Sequence, residues 1–225
     1  ADTTLRIAFS VENRIGRAIS GVSQMEVGGG AADNQVALIG TALQQTPDML
    51  FIDELTDPES MKMALRAARE LLVIAVIPGG DLGRVLSRFP ELGISPAALA
   101  RVLLLLLSQR LVRKLCGCRQ KGRLTPEIQD YFQQAHLSDA NVCLPAGCRK
   151  CNGTGYDGVL PVFDLVQVSD HLRDLLDADG VPISMVRQEL EREHGSSMLV
   201  YRGFQLVSTG QTSEDEVRRA ILTQE

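Results

Sequence analysis

Along the first hundred residues, short apolar runs alternate with stretches of helical periodicity. Leu5-Arg6-Ile7-Ala8-Phe9 reads as an opening strand, Gly28-Gly29-Gly30 as a loop, and the stretch from about Asn34 to Gln44 as a helix. Asp48-Met49-Leu50-Phe51-Ile52-Asp53 follows Pro47 as a second strand ending in acids. A helix from Pro58 to Glu70 then leads to the apolar run Leu71 to Ile77, which stops at Pro78-Gly79-Gly80. Continuous apolar runs separated by helices predict a parallel sheet covered on both faces, an α/β architecture. Ser95 and Pro96 have the character of an N-cap and first helical residue. They open what the pattern predicts to be a long helix running to about Leu115, with the run Val102 to Leu107 as a buried core helix. Beyond residue 115 the texture changes to a short helix from Thr125 to Ala135, then loop-like Cys, Gly and Pro stretches. Amphipathic helices follow near 169 to 178, 182 to 193 and 213 to 223, and Ser213 followed by Glu216 has the capping-box spacing. Three regions are expected: 1–115, 116–160 and 161–225.

Composition narrows the class. The chain has 225 residues, 44% of them hydrophobic and 23% charged, far from the corner where chains stay disordered. A formal charge of -5 removes any whole-chain nucleic-acid footprint, so no nucleic-acid partner is expected. The opening ADTTLRIAFS lacks the basic start, apolar middle and cleavage site of a secretory signal, which reads as cytoplasmic. The run Val102 to Leu107, flanked by Arg101 and Arg110, is far shorter than the roughly 20 residues that span a bilayer.

Five cysteines are an odd number in a chain too large to need disulfide staples, and four form two close pairs, Cys116/Cys118 and Cys148/Cys151. Cys148-Arg149-Lys150-Cys151 has the two-residue gap of a zinc knuckle, with Gly147 and Gly153 placed to turn the backbone. Cys116-Gly117-Cys118 has a one-residue gap, a tighter turn that Gly117 relaxes. Cys143 reads as a free thiol or as a substitute ligand for Cys116 or Cys118. Four thiolates would make a closed, structural zinc site. The surrounding cations, among them Arg110, Arg113, Lys114, Arg119 and Lys150, read as a solvated face offsetting thiolate charge. Asp53 and Glu54 at a strand's carboxyl end are of the kind that a nucleotide hydrolase uses to hold magnesium and polarise water.

The run Ser108-Gln109-Arg110-Leu111-Val112-Arg113-Lys114-Leu115-Cys116 and the run Gly147 to Gly158, with Thr154-Gly155-Tyr156-Asp157-Gly158 after the cysteines, carry a wider similarity. On these the chain resembles the type II secretion and type IV pilus assembly ATPases. Thr46-Pro47-Asp48, Asp57, Glu59 and the region Leu165 to Leu175, taken as helical, support the same register. The resemblance implies the C-terminal part of a RecA-like P-loop ATPase domain, a Cys-rich zinc subdomain and a small helical tail. It implies a motor coupling ATP hydrolysis to pseudopilus or pilus assembly, peripheral to the bacterial inner membrane on the cytoplasmic side. Inner-membrane secretion or pilus proteins would be its partners. The full-length form would be a hexamer binding Mg-ATP between subunits, while this stretch alone is compatible with a monomer.

Several positions depart from that pattern. No Gly-x-x-x-x-Gly-Lys-Ser/Thr phosphate loop occurs here, so either the chain begins downstream of it or it has been lost; a start at Ala favours the former. The family's Asp box becomes Val11-Glu12-Asn13-Arg14, its arginine pair falls at Gly40 and Gln44, and its His box aligns with Ile77-Pro78-Gly79-Gly80. Glu12 and Glu54 are retained as catalytic candidates and Asp53 as a magnesium candidate. Loss of guanidinium groups that neutralise a transferring phosphoryl group can cost about 10³ or more in rate, so a poor or absent catalyst is expected. The alternative reading is a non-catalytic, zinc-containing protein-interaction module derived from such an ATPase. His171 and His194 are given no role.

Overall fold

The computed structural model describes residues 6–28, 34–79, 82–178, 180–194 and 198–222. Leu5, Gly29, Gly30 and Gly80, named above, lie outside them. In chain order the first elements are β1 (Ala8–Glu12), β2 (Val22–Glu26), α1 (Gln35–Gln44), β3 (Met49–Ile52), α2 (Pro58–Ala67) and β4 (Leu72–Ala75). They are followed by α3 (Leu82–Glu91), α4 (Pro96–Ala100), β5 (Leu105–Leu115), β6 (Gln120–Lys121), α5 (Pro126–Gln134) and β7 (Cys143–Leu144). The last are β8 (Tyr156–Gln167), α6 (Asp170–Asp177), α7 (Ile183–His194), α8 (Met198–Ser208), α9 (Glu214–Val217) and a π-helical turn over Arg218–Leu222. The chain divides into two compact units, Ala1–Leu104 with Val168–Gln188, and Leu105–Gln167 with Glu189–Glu225.

The first unit holds a four-stranded sheet in the order β2-β1-β3-β4, every neighbouring pair parallel. Val11, Leu50 and Ile52 are fully buried, as are Ile39 and Ala42 of α1, while Met61 and Ala64 of α2 are nearly so. Both helices are locally specified. The side chain of Asn34 accepts from Ala37 N at 2.8 Å, and Asp57 accepts from Glu59 N at 3.0 Å and Ser60 N at 2.9 Å, with Pro58 in the first turn. Coverage on both faces is not observed at β4: Leu72 and Ile74 are 44% and 47% exposed. An apolar run reads the same whether one face or two is covered, so the run could not distinguish them. Elsewhere in this unit α4 packs on α6.

The long helix expected from Ser95 to Leu115 is not formed. Ser95 does cap a helix, its Oγ accepting from Ala98 N, but α4 ends at Ala100 and β5 begins at Leu105. Nor is the leucine run a buried core helix, because Leu105 and Leu107 point outward while Leu106 is buried. Consecutive leucines satisfy either period. The decision came from Ser108 and Val112, which continue the inward set at a period of two, and from a partner strand some fifty residues away. That partner, β8, lies in the stretch read as loop, and Leu165 belongs to it rather than to a helix.

In the second unit β5 and β8 form an antiparallel ribbon, from Leu105 opposite Gln167 to Arg113 opposite Val159, with an irregularity between Arg113 and Leu115. Val112 and Val162 on its inner face pack with Leu199 of α8 and with Ala220. A second cluster joins Ile128 and Phe132 of α5 to Phe204 and Val207 of α8 and to Val217. Phe132 meets Phe204 edge-on at 5.7 Å. Ser213 caps α9 by accepting from Glu216 N, but Glu216 does not complete a capping box. Its fully buried carboxylate instead accepts from Arg113 N and Nε, both at 2.8 Å, and from Arg219 Nε at 3.0 Å and its terminal nitrogen at 2.6 Å. Burial opposes ionisation there, yet the Arg219 and Arg113 donors prevail and bring the Glu216 pKa down to about 2.

Candidate metal centre and strand-end carboxylates

The end of β5 delivers Cys116 and the following turn delivers Cys118, while the loop from β7 to β8 brings back Cys148 and Cys151. Gly147, Asn152, Gly153 and Gly155 all take positive φ in that loop, and at Gly155 an added Cβ would lie 2.4 Å from Pro145 Cβ. Gly117, by contrast, does not use the left-handed region. The one-residue gap is accommodated without it. Cys116 Sγ lies 3.9 Å from Cys148 Sγ, Cys118 Sγ 3.9 Å from Cys151 Sγ, and Cys148 Sγ 3.7 Å from Cys151 Sγ. All four sulfurs fall within 4.8 Å of one another. A tetrahedron with zinc–sulfur bonds of about 2.3 Å has edges of about 3.8 Å, so the quartet has the size of a four-thiolate zinc shell.

Backbone amides face these sulfurs. Cys148 N donates to Cys151 Sγ at 3.1 Å and Gly155 N donates to it at 3.2 Å. Burial opposes ionisation of Cys151, but these donors bring its pKa down to about 6. Cys118 is pushed up to about 11, first by burial and then by the adjoining thiols, against the Gly147 N–H. Four thiols held this closely resist joint ionisation unless a cation shares their charge. Cys116 N donates to Gly155 O at 2.9 Å, which ties the two halves together. Cys143 is not part of the quartet; its thiol donates to Asn141 O at 3.3 Å.

Two of the cations near the site have internal partners. Arg113 serves Glu216 and lies 4.1 Å over the Tyr156 ring, and Lys150 pairs with Asp157 at 2.6 Å.

In the other unit, the predicted acids sit at the carboxyl ends of parallel strands, where ligands bind in open α/β sheets. Glu12 closes β1 and its Oε1 accepts from Ser10 Oγ at 2.6 Å and Gln24 Nε2 at 2.8 Å. Asp53 and Glu54 follow β3, with Asp53 O accepting from Gln35 Nε2 at 2.9 Å. Glu54 takes φ +52°, an uncommon conformation for a residue with a side chain, and its Oε2 accepts from Asn13 Nδ2 at 2.9 Å. Against the family pattern Asn13 stands only as a missing Asp, and its bond to Glu54 across 41 residues has no local signal. Gly40 and Gln44 both lie in α1, so that helix presents no guanidinium at either position.

This fold is similar to those of two solved secretion and pilus ATPases. The Legionella pneumophila ATPase DotB superposes with a TM-score of 0.67 at 16% identity, over 97% of this chain and 52% of that one. The ADP-bound pilus retraction motor PilT superposes with a TM-score of 0.63 at 17% identity, over 95% of this chain and 52% of that one. The sequence model described as type II/IV secretion system protein matches residues 2–219, and the chain belongs to that family. Relatives include the type IV pilus assembly ATPase PilB of Thermus thermophilus, 30% identical over 212 residues, which cover 92% of this chain and 24% of that protein. The type II secretion system protein E of Aeromonas hydrophila is 30% identical over 216 residues, covering 95% of this chain and 42% of that one. The chain thus spans less than half the length of either relative. Among the described residues no helix is long and apolar enough to cross a membrane.

Proposed function

We propose that this chain is the C-terminal region of a type II secretion or type IV pilus assembly ATPase, with a nucleotide-facing sheet edge and a structural zinc module. Its setting would be the cytoplasmic side of the inner membrane, with secretion or pilus assembly proteins as partners and a hexamer in the complete motor. The observation that carries this reading is the placement of Asp53 and Glu54 at the carboxyl end of β3, in a chain matched to the family over residues 2–219. Asp53 is the magnesium candidate, and Glu54 would polarise the attacking water, with Glu12 beside it on β1. Cys116, Cys118, Cys148 and Cys151 would hold zinc, which would supply cross-linking and no open coordination position. These residues bind and orient; the phosphate loop of the family pattern is not among them.

Hydrolysis by the chain itself is expected to be negligible. One observation favours this non-catalytic alternative: the neutral Asn13 amide donates to Glu54, engaging an oxygen that would otherwise orient water. Phosphate release from Mg-ATP tests it. The purified chain should show none above background, with Glu54→Gln indistinguishable from it. Turnover that Glu54→Gln abolishes would overturn the non-catalytic reading.

A further inference from the structure

The loop that closes the sulfur quartet runs directly into Tyr156, and the Tyr156 side chain reaches the C-terminal helices. Its backbone is set by two of the cysteines. Gly155, immediately before it, donates its N–H to Cys151 Sγ at 3.2 Å and accepts from Cys116 N at 2.9 Å. The Thr154 hydroxyl donates to Cys151 O at 2.7 Å and accepts from Tyr156 N at 3.3 Å. At the other end of the side chain, the Tyr156 hydroxyl lies 2.7 Å from Ser213 Oγ, the atom that caps α9 by accepting from Glu216 N. Arg113, whose guanidinium covers the Tyr156 ring at 4.1 Å, holds the Glu216 carboxylate of that same helix. Leu115, the residue before Cys116, donates its N–H to Gln211 O at 2.8 Å. Ser213 and Glu216 are wholly buried, so these contacts are shielded from water.

We propose that Tyr156 is a positioning residue that couples the sulfur shell to the start of α9, so that zinc held by the cysteines orders residues 211–216 and their order in turn tightens the hold on zinc. The inference rests on the zinc reading of the quartet. Gly147, Asn152, Gly153 and Gly155 hold positive φ in this loop, a backbone course that costs conformational freedom at the glycines and strain at Asn152, and a cation shared by the four sulfurs pins it. Without the cation the sulfurs have nothing to clasp. Gly155 then loses its fixed place between Cys116 and Cys151, and Tyr156 loses the backbone position from which it meets Ser213. Hydrogen bonds beyond the ligand atoms orient the ligands themselves, which is the route by which the contact feeds back on the metal. The coupling is reciprocal by linkage: the factor by which zinc favours the ordered segment is the factor by which the ordered segment favours zinc.

Zinc affinity, measured by competition with a chromophoric chelator, and hydrogen exchange of residues 211–217 together test the coupling. Tyr156→Phe keeps the ring under Arg113 and deletes only the hydroxyl. It should weaken zinc binding roughly fivefold, the worth of one hydrogen bond. Ser213→Ala should weaken it to a similar degree, and the double variant should lose no more than the weaker-binding single variant, because both changes remove the same contact. Zinc added to the wild-type chain should slow exchange across 211–217 by roughly fivefold. Tyr156→Phe should abolish most of that slowing and leave the metal-free rates as they are, whereas a merely structural role for the hydroxyl would alter both. An unchanged zinc affinity in Tyr156→Phe, additive losses in the double variant, or exchange indifferent to zinc would overturn the coupling and leave the zinc site standing. A wild-type chain that takes up no zinc would overturn the zinc reading itself, and the coupling with it.

Discussion

Glu216 is the sharpest test of how the second unit is held. Its carboxylate is wholly buried, yet it is ionised because Arg113 and Arg219 together give it four hydrogen bonds. A pKa brought from 4.5 to about 2 corresponds to about 3 kcal/mol of stability at neutral pH. Both guanidiniums keep much of their solvent contact, with side chains 46% and 59% exposed, so the lower part of a range of roughly 2 to 3 kcal/mol is the fair expectation. Glu216→Gln keeps the shape and removes the charge. In urea denaturation followed by far-UV circular dichroism, with an m-value of about 2 kcal/mol/M, the transition of this unit should move down by about 1 M or more. The pH dependence gives a second reading. Because folding lowers this pKa, the contribution is complete above about pH 5 and is lost as pH falls through 4.5 toward 2. The Gln variant should lack that component of the acid decline. A shift under about 0.5 kcal/mol at pH 7, with an unaltered acid profile, would refute the assignment of Glu216 as the charged anchor between β5 and α9.

Further expectations concern the sulfur cluster. Cys118→Ser should sharply weaken zinc retention, whereas Cys143→Ser should keep about one zinc per chain, as measured by metal analysis after dialysis; equal loss in both would place Cys143 in the shell. Gly155→Ala sets a methyl against Pro145 in a left-handed turn and should cost roughly 2 kcal/mol or more in thermal stability of the zinc-loaded protein, while Gly117→Ala, with nothing within 4 Å of its Cβ, should stay near wild type.

Legibility in the sequence followed the range of the interactions. α1, α2 and α6 were legible from their helical periodicity, a local signal, and each also carries a local cap, at Asn34, Asp57 and Ser169. The quartet was readable in part, because Cys148-x-x-Cys151 and its glycines are a local device, whereas the exclusion of Cys143 in favour of both Cys116 and Cys118 needed the fold. β8 was not readable, since Gly158-Val159-Leu160-Pro161 suggests a turn and only pairing with β5 makes it a strand. The same partner decided the leucine run. α8 went unread because Met198 to Ser208 acquires its meaning from contacts with α5 and the ribbon. At the candidate catalytic edge the acids were visible, while the Asn13 contact and the left-handed backbone of Glu54 depend on strands brought together by folding.

The placement of the sulfurs at one end of the ribbon has a bearing on the order of assembly. Cys116 immediately follows β5, and Cys151 lies five residues before β8 begins, so a metal clasping them closes the intervening stretch before either strand need find its partner. Closing a span of about 32 residues carries an entropic barrier of roughly 3 kcal/mol, and ion capture could meet it in advance. Annealing would then proceed like a fastener drawn from the Leu115–Tyr156 end. An ion held there would act less as ballast for the finished protein than as a starting clip for the ribbon.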